Sequence, residues 1–441
     1  MNPNDDAKSA IAAATPQQAE APRAPWGWVE RTVWTEAMLT RLTAGESADR
    51  VWFRLWDKTS APANLQSAFH KVWRNGGSAA AEAQTVGHFA KHAEEELSRL
   101  AEQLSAGAYH PQPVRRVGLP KLGSQEWRPL GIPAGRDRMV QGALRHVLAL
   151  IFEAEFTEQR YGFRPGRGAT LLKAGHDWVV DADLKSYFDT IPHDRLLALV
   201  KARVADRRVL ALVESFLRAG VLEEAKDWHP TEGGTPQGGV IRPLLANLYL
   251  APLDHQMAAA GWEMVRYADD FVILCCSAAE ANGALAAVTA WVTEAGLTLH
   301  PEKTRIVDAT QRGGFDFLGY HFERGMKWPR EKSLQKLKER VRAKTRRTDG
   351  RSQPAIRADV NGTLRGWYGY FQHSKANVFA TVDGYVRRRL RSLLEKRRGQ
   401  ARQGLGAAQQ RWPNEWFARH GLLSLAAEHV WTRAIVKLRT H

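Results

Sequence analysis

Two acidic strand ends contain the residues of this sequence best suited to chemistry. Asp269 and Asp270 stand side by side between two short runs of β-branched and aromatic residues, 265–267 and 271–274. Asp183 ends an earlier apolar run, 86 positions before Asp269. Carboxylates on neighbouring strand ends can hold two Mg²⁺ ions, which prefer hard oxygen ligands and leave positions for phosphate oxygens. A solvated acidic turn is the plainer interpretation of Asp269 and Asp270 alone, because Asp is a favoured turn residue.

The surrounding residues predict the elements that must hold these carboxylates. Residues 265–274 have the pattern of a hairpin with the adjacent aspartates at its tip, and residues 179–183 have the pattern of a strand. The other predicted elements are a strand–turn–strand over 111–133, helices over 137–156, 194–222, 244–250 and 279–296, and strands over 297–299 and 315–322. This mixture predicts an α+β fold that ends near residue 323 and is followed by a basic helical region.

The positive charge is concentrated near the carboxyl end of the chain. The 441 residues include 63 Lys and Arg against 47 Asp and Glu, a net charge of +16. Residues 327–351 carry eleven basic and three acidic residues, and residues 385–441 carry thirteen and three. These two segments hold more than the whole net charge, and they favour a polyanion as partner.

The cysteines and the apolar runs indicate where the protein works. Cys275 and Cys276 are adjacent, so they form neither a sensible disulfide nor a metal cluster, and a reducing compartment is expected. No run of about 18 apolar residues occurs, and the sequence from Met1 has neither a secretory nor a transit pattern. We therefore expect a cytoplasmic protein with no membrane partner and with a disordered tail over residues 1–25.

Cations and glycines in two segments could approach phosphate. Lys121 and Arg128 flank the turn of the first predicted hairpin, and Arg164 lies in a loop broken by Gly and Pro. These cations could hold a triphosphate, although solvated surface cations are the plainer interpretation. The Gly-rich loop 233–240 would permit a close backbone approach, and its Gln237 could hydrogen-bond a backbone or a base. A plain helix entry explains these glycines equally well.

The carboxyl-terminal region mixes cations with aromatic residues. Leu334, Leu337 and Val341 predict a helix whose other positions are largely basic. Such a charge run usually forms a solvated face. Here aromatic residues follow at 367–371, and cations interleaved with aromatics suit a nucleic-acid backbone and its exposed bases. The cations that this interpretation selects for RNA binding are Lys336, Lys338, Arg342, Arg387, Arg388, Arg389 and Arg391.

Six motifs, in this order, resemble those of the reverse transcriptases and maturases encoded by bacterial group II introns. The motifs are Arg128–Pro133, Tyr161–Arg167, Asp183–Asp189, Thr235–Gly239, Tyr267–Asp270 and Phe315–Tyr320. The resemblance implies a right-hand polymerase with fingers and palm over 26–323, a helical thumb over 324–380 and a basic maturase-type RNA-binding segment over 381–441. RNA template, DNA primer, group II intron RNA and deoxynucleoside triphosphates (dNTPs) are the implied partners.

The resemblance also implies the roles of the acidic residues. Asp183, Asp269 and Asp270 match the three palm carboxylates of the family, and the Leu184 carbonyl is expected to face metal as well. Two Mg²⁺ ions would serve an in-line phosphoryl transfer at the primer 3′-hydroxyl. Asp181, two residues before Asp183, is the alternative ligand if this register is shifted.

For the incoming dNTP, the resemblance assigns five residues. Lys121, Arg128 and Arg164 match positions that hold or approach the triphosphate. Phe188 matches the aromatic residue beneath the sugar, where a ring clashes with a 2′-hydroxyl and selects deoxynucleotides. Gln237 matches the loop residue that lines the nucleotide pocket.

The chain departs from the family pattern at two places. Residues 75–82 differ from the usual amino-terminal motif, so the sequence does not establish the RNA contact that this motif makes in the family. Arg242 stands where relatives commonly carry a small Ser, and it could bind a backbone phosphate or mark drift in a decaying copy. Cysteine pairs and a His-Asn-His cluster are missing after residue 400, so HNH endonuclease activity is not expected.

Three functions fit these observations. The first is an active RNA-directed DNA polymerase that also helps its intron to splice, and the second is an RNA-binding splicing factor with an idle polymerase. The third is a host-adopted reverse transcriptase that acts in repair or defence. Loss of a catalytic aspartate would favour the second and an appended unrelated domain the third, and the sequence shows neither. The first function is therefore the expectation.

Overall fold

A computed structural model describes most of the chain. The described residues are 29–43, 50–75, 86–120, 127–153, 155–156, 176–223, 227–231, 233–235, 238–398 and 405–439. The tail predicted over 1–25 lies outside them, as do residues 76–82 of the departing amino-terminal motif. The chain divides into two compact units. The first comprises Met1–Ala169, Leu184–Gly261 and Val288–Leu299, and the second Thr170–Asp183, Trp262–Ala287 and His300–His441.

Helices and strands alternate through residue 329, and helices follow in the described residues beyond it. The helices are α1 (Glu36–Thr43), α2 (Trp56–Thr59), α3 (Pro62–Asn75), α4 (Val86–Lys91), α5 (Ala93–Ser105), α6 (Gly135–Glu153), α7 (Tyr187–Thr190), α8 (His193–Lys201), α9 (Arg207–Leu217), α10 (Arg242–Ala259), α11 (Ala278–Glu294), α12 (Glu331–Lys344), α13 (Gln353–Phe371), α14 (Asn377–Arg397), α15 (Leu405–Arg411), α16 (Asn414–Arg419) and α17 (Leu425–Arg439). The strands are β1 (Val114–Pro120), β2 (Trp127–Ile132), β3 (Trp178–Asp183), β4 (Val221–Glu223), β5 (Asp227–His229), β6 (Glu263–Tyr267), β7 (Asp270–Cys275), β8 (Arg305–Asp308), β9 (Phe315–Phe317), β10 (Tyr320–Glu323) and β11 (Met326–Pro329).

The first unit contains a four-stranded sheet of order β2–β1–β4–β5 and most of the early helices. β1 and β2 form the predicted antiparallel hairpin, and β1 pairs with β4 in parallel. Helix α6, predicted over 137–156, is largely buried and packs against α3. A Cβ on Gly142 of α6 would lie only 3.1 Å from the Ala68 Cβ of α3, so the small residue allows the two helices to approach closely.

The prediction of a single helix over 194–222 is wrong, because the structure has α8, α9 and β4 there. Asp206 separates the two helices. Its carboxylate accepts hydrogen bonds from two first-turn N–H groups of α9, at 3.1 and 3.3 Å, and so caps that helix. It also accepts from the N–H groups of Leu55 and Trp56 at 2.8 and 2.9 Å. These contacts with a distant segment leave no signal in the local periodicity.

Helix α10 is longer than the helix predicted over 244–250. It spans Arg242–Ala259 and includes Pro252, which was expected to lie beyond its end. Proline removes one helix hydrogen bond. Leu253 and Met257, beyond the proline, are completely buried, so the burial of this face keeps the chain helical across the break.

The second unit contains both acidic segments in one four-stranded sheet. The order is β6–β7–β3–β8, and each neighbouring pair is antiparallel. Val179, Val180 and Ala182 of β3 are completely buried, as are residues 271–273 of β7. The predicted hairpin over 265–274 and the predicted strand over 179–183 are thus confirmed, and they supply three of the four strands, with β7 and β3 at the centre.

Two other predicted strands take different forms. Residues 297–299 contribute only an isolated bridge between Leu299 and Leu184. The segment 315–322 is a complete hairpin, β9 and β10, that turns at Leu318 and Gly319, both with positive φ (48° and 80°). A two-residue turn of this kind matches the right-handed twist of the strands.

The carboxyl-terminal helices of the second unit share an apolar core. This core contains residues of α12, α13 and α14 and of the terminal helices α15, α16 and α17. Asp383 of α14 accepts hydrogen bonds from the Ser424 hydroxyl at 2.7 Å and from the Leu425 N–H at 2.9 Å, which ties the start of α17 to this core. Across the described residues, every helix is either too short or too polar to cross a membrane.

Candidate active site

Asp183 and Asp270 are directly opposed across the β3–β7 pair. Opposed residues of an antiparallel pair point to the same face of the sheet, with Cβ atoms about 4.5–5.5 Å apart. Asp181, two residues earlier on β3, shares this face and is opposed by Val272 on β7 and by Arg305 on β8. Three carboxylates therefore gather on one face of the central strands.

Local hydrogen bonds fix the hairpin tip that carries Asp269. Tyr267 pairs with Asp270, so Ala268 and Asp269 form a two-residue turn, and Asp270 begins β7 instead of lying at the tip as the sequence predicted. Ala268 has a φ of 61°, in the left-handed region. Arg266 is only 1% exposed, and its Nη1 donates to the Ala268 carbonyl at 2.8 Å. This buried guanidinium holds the backbone on which Asp269 stands.

Two cations that sequence reasoning gave no role pair with the carboxylates of β3. Lys303 Nζ contacts Asp183 Oδ2, and Arg305 Nε lies 3.3 Å from Asp181 Oδ2. The side chains of Lys303 and Arg305 are 60% and 53% exposed, so these ion pairs contribute little to stability. Their positions depend on the pairing of β8 with β3, and the basic residues just before and at the start of a strand were the only signal in the sequence.

The clustering of carboxylates raises the pKa of Asp270 to about 7. Burial is the largest cause, the charges of Asp181, Asp183 and Asp269 add to it, and Arg330 opposes it. Burial is also the main cause that raises the pKa of Asp181. The site therefore has a deficit of positive charge near neutral pH.

This deficit suits hard divalent cations. Asp183, Asp269 and Asp270 offer carboxylate oxygens, the ligands that Mg²⁺ prefers. Within the part of the chain that the structure describes, no three His, Cys, Asp or Glu side chains form a ready-made metal cluster. Oxygens of a bound phosphate and water would have to complete the coordination, so the residues fit metal ions that bind together with a nucleotide.

Phe188 lies in helix α7 of the first unit, where the Gly-rich loop contacts its backbone. The Thr235 N–H donates to the Phe188 carbonyl at 2.7 Å. Gly234 has a φ of 81°, and a Cβ there would lie 2.7 Å from the Phe188 carbonyl oxygen. The guanidinium carbon of Arg242 lies 4.1 Å from the centre of the Phe188 ring. The glycine at 234 is thus required by packing against the backbone of Phe188, and the loop also leads into α10.

The remaining predicted nucleotide-binding residues have no described side chains. Arg128 belongs to β2, and its side chain lies outside the description. A Cβ on Gly238 would lie 2.0 Å from the Gly131 carbonyl oxygen, so the loop also packs against the backbone of β2. The residues that lie wholly outside the described chain are Lys121, Arg164 and Gln237.

The cations predicted to bind RNA divide into exposed and internal residues. Lys336, Arg342 and Arg388 are exposed, and Lys338 and Arg387 are half-buried. Lys338 and Arg388 also line a cavity of about 460 Å³ between α12 and α14, whose lining is otherwise largely apolar. This face offers cations beside an apolar surface, and the aromatic residues 367–371 are not among the residues that line the cavity.

Arg389 and Arg391 do not fit the RNA-binding role predicted for them, because their guanidinium groups bond within the protein. Arg389 donates to the Thr345 carbonyl at 2.8 Å. Arg391, 8% exposed, donates to the Trp412 carbonyl at 2.9 Å and to Asn414 Oδ1 at 3.0 Å. Both arginines connect helices of the carboxyl-terminal core.

Two family models match this chain. Residues 119–322 match the model described as reverse transcriptase (RNA-dependent DNA polymerase). Residues 334–412 match the model of the group II intron maturase-specific domain. The first match contains all the aspartates of the acidic site, and the second contains the basic helix α14 and all of α12 except its first three residues.

Individual relatives align with part of the chain. The group II intron-encoded protein LtrA of Lactococcus lactis is 38% identical over 233 residues, which are 50% of this chain and 38% of LtrA. Protein YkfC of Escherichia coli is 33% identical over 276 residues, 52% of this chain and 71% of YkfC. The "Uncharacterized 91 kDa protein in cob intron" of Schizosaccharomyces pombe is 37% identical over 165 residues, 36% of this chain and 20% of that protein. The chain thus spans well under half the length of LtrA.

Proposed function

Because the chain belongs to the family of reverse transcriptases and maturases encoded by group II introns, we propose that it is an RNA-directed DNA polymerase that extends a DNA primer on an RNA template. We propose that it also binds group II intron RNA and so assists splicing. The observation that carries the polymerase proposal is the grouping of Asp183 and Asp270 on one face of the β3–β7 pair, beside the turn that presents Asp269.

The chemistry proposed for this site is nucleotidyl transfer. Asp183, Asp269 and Asp270, with the Leu184 carbonyl, would hold two Mg²⁺ ions, which when bound activate the primer 3′-hydroxyl and neutralise charge on the leaving pyrophosphate. The protein fixes the ligands beforehand. The β3–β7 register sets Asp183 against Asp270, and Arg266 holds the turn of Asp269. Charges fixed in this way stabilise a transition state without the cost of reorganising at the moment of reaction.

For the dNTP, we propose the residues that the family resemblance selects. Lys121, Arg128 and Arg164 would hold the triphosphate, and Gln237 would line the pocket. Phe188 would lie beneath the sugar and exclude a 2′-hydroxyl. The support for Phe188 is its fixed backbone, which accepts a hydrogen bond from Thr235 of the Gly-rich loop.

The proposed RNA contacts use exposed and half-buried cations of α12 and α14. Lys336, Lys338, Arg342 and Arg388 combine charge with the apolar cavity between these helices, and residues 334–412 match the maturase-specific model.

We further propose that the protein acts in the reducing cytoplasm, because Cys275 and Cys276 are both free.

Primer extension tests this proposal directly. We expect the protein to lengthen a DNA primer annealed to RNA when dNTPs and Mg²⁺ are present, and to stop when the metal is chelated. Intron RNA binding is measured on the same preparation. Tight RNA binding without any extension would contradict the polymerase proposal and would leave the splicing factor as the function.

A further inference from the structure

Arg242 is fixed against the ring of Phe188. The guanidinium carbon lies 4.1 Å from the ring centre, a distance typical of a cation–π contact. Arg242 is the first residue of α10, and its backbone N–H donates to the Gly239 carbonyl at 3.2 Å. Residues 244–251 of the same helix are buried, so the base of the arginine side chain has little freedom to move.

The rest of Phe188 is held from other directions. Its carbonyl accepts the Thr235 N–H, and the space beside that carbonyl admits only a glycine at 234. The ring of Tyr187 lies 5.2 Å away at an interplanar angle of 54°, and the buried Tyr187 hydroxyl is itself bonded to the Ala246 carbonyl at 2.5 Å. With the backbone fixed, the freedom left to Phe188 is rotation of its side chain, and the Arg242 guanidinium restricts that rotation.

We propose that Arg242 is a positioning residue that fixes the Phe188 ring and thereby increases selectivity for deoxynucleotides over ribonucleotides. This inference rests on the proposed polymerase function and on the proposed place of Phe188 beneath the sugar. A ring that can rotate away gives a 2′-hydroxyl more room. A ring that Arg242 covers on one face stays in place and keeps the 2′-hydroxyl out. A Ser at position 242 is too short to cover the ring.

The test replaces Arg242 and measures kcat/KM for a dNTP and for the matching ribonucleotide on the same primer and RNA template. We expect Arg242→Ser to lower the selectivity by about five- to thirtyfold, mainly through faster ribonucleotide use. The free energy of a cation–π contact, which holds the ring in place, corresponds to a factor of about this size. Arg242→Lys keeps the charge without the planar stacking group, so it should recover part of the selectivity. Arg218→Ser, a change of the same kind at a side chain that is 66% exposed, should leave the selectivity at the wild-type value.

A double substitution separates positioning from direct nucleotide contact. In a Phe188→Val background, Arg242→Ser should change the selectivity no further, because the ring on which Arg242 acts is gone. Equal loss of kcat/KM for both nucleotides in Arg242→Ser would show a phosphate contact instead and would overturn the inference. An active wild type with unchanged selectivity in Arg242→Ser would overturn it too. A wild type that extends no primer with either nucleotide would overturn the proposed function and this inference together.

Discussion

At the residue scale, Asp183 and Asp181 differ in what lies opposite them. Asp183 faces the carboxylate of Asp270, whereas Asp181 faces Val272 and pairs with Arg305 at 3.3 Å. The sequence alone could not choose between the two aspartates, because both occupy the same strand face. The β3–β7 register sets Asp183 directly opposite Asp270, and this pairing supports the proposal of Asp183 as the metal ligand.

This difference predicts that Asp181→Asn keeps much of the polymerase activity. We expect a loss of less than about tenfold, because the substitution removes a charge near the proposed metal site but no ligand. Single-turnover primer extension at saturating Mg²⁺ measures the effect. Activity as low as that of Asp269→Asn would make Asp181 a ligand and would shift the assigned register.

His146 is a buried histidine of the first unit whose protonation should make stability depend on pH. Lys71 Nζ lies 2.8 Å from His146 Nε2 and donates to it, while His146 Nδ1 lies 2.7 Å from the Asn64 side-chain oxygen. Burial, with the charge of Lys71, lowers the pKa of His146 to about 4. Below pH 6.5 the unfolded chain therefore binds a proton that the folded protein does not accept until about pH 4.

The expected result is that stability falls as the pH decreases from about 6.5 towards 4. Between pH 7 and pH 5 the His146 contribution should be about 1–2 kcal/mol, and His146→Gln should remove it. Urea unfolding at both pH values measures the difference. His70→Gln, at an exposed histidine of helix α3, is the control and should keep the wild-type pH dependence. An unchanged slope in His146→Gln would contradict the assigned protonation.

At the element scale, the loop over 233–235 depends on glycine at one position. Gly234 and Gly261 have nearly the same φ, 81° and 80°. A Cβ on Gly234 would lie 2.7 Å from three backbone atoms, whereas a Cβ on Gly261 would meet nothing within 4 Å. The two residues thus separate the cost of the backbone conformation from the cost of the close approach.

We expect Gly261→Ala to lower the free energy of unfolding by about 1 kcal/mol, the cost of a left-handed alanine. Gly234→Ala should cost about 3 kcal/mol or more and should also reduce nucleotide selectivity, because the loop has to move away from Phe188. Chemical unfolding and primer extension measure the two effects. Equal stability losses in both variants would show that the loop can move away from Phe188 without a further loss in the free energy of unfolding.

Within helix α14, neighbouring arginines lie in different surroundings. Arg388 is exposed beside the cavity, and Arg391 is buried with its donors bonded to Trp412 and Asn414. A substitution of the whole Arg387–Arg391 cluster would therefore mix a binding effect with a folding effect. Single substitutions keep the two effects apart.

The pair Arg388→Ala and Arg391→Ala tests this division. Arg388→Ala should weaken RNA binding and reduce the slope of log K against log salt by about one, with no loss of stability. Arg391→Ala should lower the free energy of unfolding by about 2–3 kcal/mol, because it leaves buried acceptors unpaired. Salt titrations of RNA binding and urea unfolding provide the measurements. A salt slope unchanged by Arg388→Ala would remove this helix face from the RNA site.

Local sequence patterns predicted the elements that carry the acidic site. The features that these patterns failed to predict depend on contacts between residues far apart in the sequence. The hairpin over 265–274 was predictable because apolar runs flank a short turn, and both features are local. The helix break at Asp206 depends on hydrogen bonds to residues 55 and 56, and the burial of Arg391 depends on a turn that begins 21 residues later. Contacts of this kind become visible only in the folded chain.

At the scale of the whole molecule, charge and chemistry are separated along the chain. The acidic residues of the proposed catalytic site lie between 181 and 270, whereas the positive surplus lies in 327–351 and 385–441. The two family models follow the same division, at 119–322 and 334–412. This arrangement suits a protein that holds RNA with one region and performs metal-dependent chemistry with another.

The most direct test of the central claim is primer extension by Asp269→Asn beside the wild type, with intron RNA binding measured on both. Asp57→Asn, an exposed aspartate of α2, is the matched control. We predict that Asp269→Asn loses synthesis by at least about a thousandfold while RNA binding is unchanged, because the substitution removes a metal ligand and no RNA contact. Synthesis by Asp269→Asn at a rate near that of the wild type and of Asp57→Asn would contradict the assignment of the polymerase site to these carboxylates.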